Sequence, residues 1–132
     1  MHKRKNTTTK LILFLLVLVV AWAILRYQYG WGTPYHARQA KKDLKNGTVQ
    51  FISVGLPLAS SKDAEIASLK QRYGFKTVEF GCVVTAQELN GIEQYNQIVE
   101  KWLSNRNGKG WRKAYQKSID SLYRIAFNQA PQ

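Results

Sequence analysis

The sequence predicts an α/β chain: an N-terminal transmembrane helix, then a small domain with a βαβ unit and two C-terminal amphipathic helices. Three observations predict it. From Leu11 to Leu25 no side chain is charged or strongly polar. Two stretches rich in β-branched and aromatic residues, "TVQFISV" at 48–54 and "KTVEFGCVV" at 76–84, flank a helical pattern with a connection of about twenty residues, which is the spacing of a parallel βαβ unit with a right-handed crossover. Helical periodicity with end signals then recurs twice after Thr85.

The apolar run of 15 residues makes roughly 22 Å of helix at about 1.5 Å per residue, less than the roughly 30 Å hydrocarbon layer of a bilayer. Its ends make up the difference. Lys10 and Arg26 have stems long enough to snorkel, and Thr7, Thr8 and Thr9 tolerate an interfacial position. Tyr27, Tyr29 and Trp31 fall where amphipathic rings prefer the headgroup level. Ala21-Trp22-Ala23 also has the small-x-small pattern of a signal-peptidase site, so a cleaved export signal is the competing reading. The apolar run continues past that site through Ile24 and Leu25, and the aromatic trio comes later still, which weighs toward a retained anchor over 11–29. A helix buried in a soluble core would need partners around its whole circumference. Lys3, Arg4, Lys5 and Lys10 form a tail, 1–10, with no acid in it, and such a tail stays cytoplasmic and leaves the domain outside. Both flanks are basic, since Arg38, Lys41, Lys42 and Lys45 also follow the run.

Gly30, Gly32 and Pro34 mark a juncture, and "YHARQAKKDLK" reads as a helix closed by the left-handed cap pair Asn46-Gly47, which completes a juxtamembrane segment over 30–47. The small domain spans 48–127. Its first strand is broken by Gly55-Leu56-Pro57. Ser60 or Ser61 is expected to cap a helix over Asp63 to Tyr73, with Ile66, Leu69 and Tyr73 on one face and Gly74 as its stop. After the second strand, Thr85 and Glu88 have the spacing of a capping box. Leu89, Ile92, Val99, Trp102 and Leu103 keep one side of that helix apolar until Asn107-Gly108, with Gly91 weakening it only slightly. A last helix, roughly 110–127, puts Trp111, Tyr115, Ile119, Leu122 and Ala126 on one stripe. "NQAPQ" at 128–132 is expected to fray.

Four Trp, seven Tyr and five Phe suit a compact core without staples. Cys82 has no second cysteine to pair with, and His2 and His36 make no metal cluster, so neither a disulfide framework nor a metal or other cofactor is predicted. The net charge of +12, from 20 Lys and Arg against 8 Asp and Glu, points to anionic surroundings.

Candidate chemistry is sparse. Cys82, between Gly81 and Val83 in mid-strand, reads as a buried, inert thiol rather than a nucleophile; exposed outside the cytoplasm, it would rather form an intermolecular disulfide. Glu79, Glu88 and Glu93 are the carboxylates available for acid–base work on glycans, and no HExxH, GxSxG or phosphate-cradling loop accompanies them. Parallel sheets gather ligands at the carboxyl ends of their strands. There Ser60, Ser61, Lys62 and Thr85, with two helix N-termini, form a candidate anion site, unless the hydroxyls merely cap their helices. Arg112, Lys113, Lys117 and Arg124, with Trp111, Tyr115 and Tyr123 among them, form a candidate surface for anionic lipid headgroups or an envelope polymer. A domain outside the membrane would meet little nucleic acid.

From Tyr73 to Lys113, "YGF", "GCVV", "NGIEQYN" and "RNGKGWRK" follow in an order that resembles the FEKKY domain, a small bacterial domain often found behind an N-terminal membrane segment. The resemblance covers about a third of the chain. It implies a bacterial membrane-associated setting, hence the inner membrane as the expected address. It carries no settled activity and no catalytic residue. The sequence therefore predicts a single-pass envelope protein acting as a binding or scaffolding module, with a small envelope hydrolase working at the strand-end cleft as the alternative.

Overall fold

The computed structural model describes residues 3–57 and 61–128. Within them the elements run α1 Lys3–Gln28, α2 Ala37–Lys45, β1 Gln50–Ser53, α3 Asp63–Tyr73, β2 Lys76–Glu79, α4 Ala86–Asn107 and α5 Trp111–Asn128. The expected parallel βαβ unit is present, with Gln50 opposite Lys76 and Ser53 opposite Glu79. The chain is nevertheless mostly helical, with a sheet of two strands among the described residues. Helix α4, rather than a sheet, is the element around which the core is built.

Thr7–Gln28 is long and apolar enough to cross a membrane, and none of it is buried within the protein. Every large apolar side chain from Leu11 to Leu25 is exposed, so a helix buried in a soluble core is not what the chain builds.

Local chemistry sets the helix ends. The helix expected from Tyr35 begins at Ala37, because His36 is extended (φ −160°, ψ 170°) and its Nδ1 accepts the Gln39 N–H at 3.1 Å. At its other end only Gly47 is left-handed (φ +78°), while Asn46 is not. Helix α3 starts as predicted but its cap is Lys62, which makes no side-chain cap bond. Ser61 precedes that position and Ser60 lies outside the described residues. Asp63 and Glu65 lie in the first turn, where the helix dipole favours negative charge. Helix α4 has the predicted capping box: the Thr85 hydroxyl accepts the Glu88 N–H, and the Glu88 carboxylate accepts the Thr85 N–H at 2.8 Å.

Both strands are shorter than predicted. Beyond Ser53 and Glu79 the two chains meet once more, at Gly55 and Gly81, and there φ is +126° and +97°, values that turn the backbone out of the ladder. Among the described residues the rest of "KTVEFGCVV" pairs with no strand, so Cys82 is exposed in a loop rather than buried in a strand, and Val83 beside it is 95% exposed.

The core forms where α4 crosses α2, the sheet and α5. Tyr95, Val99 and Leu103 of α4 are fully buried, and Ala40, Ile52, Phe75, Ile92 and Trp111 pack with them. Leu89, expected on that stripe, is instead exposed. Ile66 and Leu69 of α3 join Ile119 of α5 in a second cluster. The segment 30–47 belongs to the same body, because Ala40 has no exposed surface and the Tyr95 hydroxyl donates to Asp43 at 2.7 Å.

The exit from α1 is a packed corner rather than a tether. Trp31 N–H bonds the Arg26 carbonyl at 3.0 Å, and Gln87 and Asn90 of α4 donate to the carbonyls of Trp31 (3.0 Å) and Tyr27 (3.3 Å). These bonds join the end of the apolar helix directly to α4.

Candidate binding groove beside the sheet

Of the residues predicted to anchor the chain, Lys10, Arg26 and Tyr27 lie on α1, and Tyr29 and Trp31 follow its end. Tyr27, Tyr29 and Trp31 are exposed, with the Tyr29 and Trp31 rings 6.3 Å apart. Arg26 lies over the Trp22 ring at 5.4 Å, and Lys10 is an exposed residue of the same helix.

The predicted strand-end anion site is already engaged. Thr85 and Glu88 bond each other, with the Thr85 hydroxyl 2.7 Å from a Glu88 carboxylate oxygen, so the N-terminus of α4 holds its own anion. These bonds hold the Glu88 carboxyl below its ordinary range. Lys62 pairs with Glu65 at 3.0 Å, and that bond likewise lowers the Glu65 carboxyl.

The three candidate carboxylates go to separate places. Glu88 caps α4, Glu93 accepts from Gln97 at 3.2 Å, and Glu79 ends β2.

The basic face of α5 is narrower than predicted. Arg112 turns toward α4, paired with Glu100 and stacked over Phe51 at 5.6 Å. Lys113, Lys117 and Arg124 are exposed at spacings of four and seven, one helix face, but Asp120 falls in the same stripe. The aromatics expected among these cations point elsewhere. Trp111 is buried and donates its ring N–H to Ser104 at 3.1 Å. Tyr115 and Tyr123 are partly buried against the α3 cluster, and burial raises the Tyr115 hydroxyl.

What sequence reasoning missed is a groove of about 1160 Å³ beside β2. Lys76, Thr77 and Glu79 of β2 form one side, Ile66, Ala67 and Lys70 of α3 another, and Trp102 and Arg106 of α4 close one end. Gly74 lies against that end. It ends α3 with φ +83°, and a β-carbon there would lie 2.2 Å from a guanidinium nitrogen of Arg106. Arg106 in turn lies over the Trp102 ring at 5.5 Å, a favourable cation–π contact. Among the described residues, Lys70, Lys76 and Arg106 take part in no ion pair. Three cations and two carboxylates, Asp63 and Glu79, therefore share one cavity with an apolar wall, a one-charge cationic excess suited to a ligand that is part acidic and part apolar. Trp102 and Arg106, four apart on a helix, were the one sequence signal for it.

Compared with protein families, curated proteins and solved structures, the chain matches none. The resemblance to the FEKKY domain rests on its four motifs alone. They fall at the α3–β2 turn, the loop after β2, the first half of α4 and the α4–α5 junction.

Proposed function

We propose that the chain is a single-pass, membrane-anchored bacterial envelope protein whose domain is a non-catalytic binding or scaffolding module. The observation that carries this is the join between α1 and the domain. A wholly exposed apolar helix runs without a flexible linker into a corner bonded to α4. Burying so much apolar surface in lipid is strongly favourable, and the fixed corner holds the domain in one pose against the bilayer. The acid-free basic tail supports an N-terminus in the cytoplasm and a domain outside. The groove and its cations supply a surface for an acidic partner in that compartment.

Alkaline carbonate extraction of membranes from expressing cells tests the anchor. Full-length protein is expected in the pellet, and its release into the supernatant would refute it. An intact mass lacking the first 23 residues would show cleavage after Ala23 instead. Protease added to spheroplasts is expected to digest the domain, and a shielded domain would reverse the topology.

A further inference from the structure

The two edges of the sheet are treated differently by the fold. On the outer edge of β1, Asn96 of α4 acts as a substitute strand: the Ile52 N–H donates to its Oδ1 at 2.9 Å, and its Nδ2 donates to the Ile52 carbonyl at 2.8 Å. That edge is closed. On β2, the N–H groups of Lys76 and Phe80 bond the Val49 and Ser53 carbonyls at 3.1 and 2.8 Å. Strand alternation then turns the N–H groups of Thr77 and Glu79 away from β1. Among the described residues no hydrogen bond from elsewhere reaches them. Thr77 and Glu79 both line the groove, which also reaches Thr48 and Val49 beside β1.

We infer that the outer edge of β2 accepts an extended acidic peptide segment of a partner protein as a third strand. Main-chain bonds to Thr77 and Glu79 would supply affinity, and the groove would supply side-chain selection. The charge pattern sets the chemistry. Lys70, Lys76 and Arg106 line the cavity against two carboxylates, Asp63 in the first turn of α3 and Glu79 at the far end of β2. Acidic residues of the segment therefore belong beside Lys76, and apolar ones against Ile66 and Ala67. A short edge headed by a lysine also discourages indiscriminate pairing; an acidic strand converts that lysine from a guard into a contact. This deepens the binding-module reading, which supplies only the place where the partner is met. Carbonate extraction decides the anchor and amide protection decides the edge, so either can fail alone.

The test uses the full chain in phospholipid nanodiscs with ¹⁵N labelling. The probe is an octapeptide of two Glu followed by alternating Val and Thr, and its control carries Lys in place of Glu. Amide exchange at Thr77 and Glu79 is expected to slow about tenfold with the Glu peptide only. Arg106→Glu and Lys70→Glu are each expected to weaken that binding about tenfold while leaving the remaining amides as protected as before. No protection at about 1 mM peptide, or equal protection by the Lys peptide, would overturn the inference. Protection that rises with protein concentration alone would assign the edge to a second copy of the chain. Protection that follows anionic lipid without peptide would assign the cations to headgroups. Either result would also overturn it.

Discussion

Gly30 and Gly91 meet backbone to backbone. A β-carbon on Gly30 would stand 2.3 Å from the Cα of Gly91, and one on Gly91 would stand 2.3 Å from the Tyr35 carbonyl oxygen and 2.5 Å from the Thr33 hydroxyl. That hydroxyl itself lies 2.6 Å from the Gly30 carbonyl and 2.8 Å from that of Tyr35. The exit of α1 and the first turns of α4 are thus as close as main chains can come.

Gly91→Ala therefore reverses an ordinary expectation. In an open helix the change would stabilise by up to about 1 kcal/mol. Here the colliding atoms are mostly backbone and cannot swing aside, and overpacking costs about 1–3 kcal/mol. A net fall in Tm is expected in detergent-solubilised full-length protein, and an unchanged or raised Tm would show that the corner is loose.

Asn96→Ala removes both bonds that close the β1 edge. Two such bonds contribute about 2 kcal/mol together, so a clear loss of stability to urea is expected. The bared edge is also a template for strand pairing. Concentration-dependent association, measured by sedimentation, should appear in the variant and be absent in the parent.

These two residues mark where the sequence stopped being informative. Signals that act within one turn were legible: the Thr85–Glu88 box, Gly74 in the left-handed region, and Gly108 after Asn107 all lie where local chemistry puts them. Strand length was not. It depends on how far the partner strand continues, and in "GCVV" the pairing ends at the Gly55–Gly81 bridge, which is why Cys82 surfaces in a loop. Gly91 in mid-helix looks like a mild defect until the approaching chain is seen, and Asn96 is one polar residue among several on α4. The groove joins residues from α3, β2 and α4 that no local pattern relates, so Lys70, Lys76 and Arg106 could not be grouped from spacing.

The capping box makes an acid-side prediction. The Glu88 carboxyl is held below its ordinary value of 4.5, so the folded state binds its proton less readily than the unfolded chain. Its contribution is present above that value and is lost as pH falls through the lower folded value. Glu88→Gln should be less stable near neutrality and should flatten the decline of Tm below about pH 4.5. An identical acid limb in parent and variant would remove Glu88 from the account.

Tyr95 makes the opposite prediction in alkali. Burial first, and the bond to Asp43 second, raise its hydroxyl well above the ordinary value of 10.0. The unfolded chain therefore loses this proton at lower pH than the folded one. The contribution is complete below about pH 10 and is lost as pH climbs toward the folded value. Tyr95→Phe should cost about 1–2 kcal/mol at pH 7 through the lost hydrogen bond and the stranded Asp43 oxygen. It should also decline less steeply than the parent above about pH 10.

Cys82 offers a direct measurement of the pose of the domain. Exposed and without another cysteine in the chain, it should react stoichiometrically with a maleimide fluorophore in the native protein; reaction only after denaturation would contradict the loop placement. The label then sits three residues before Thr85, on the chain that leads into the Gln87 bond to Trp31. With α1 in a bilayer, quenching by lipids spin-labelled at graded depths should give a narrow profile, because the corner fixes the height of the loop. Gln87→Ala with Asn90→Ala removes the two side-chain bonds of the corner, together worth about 1–3 kcal/mol. The profile should broaden in that double variant while the far-ultraviolet circular dichroism stays the same. A parent profile already as broad as the variant's would mean that the domain swings freely on its helix.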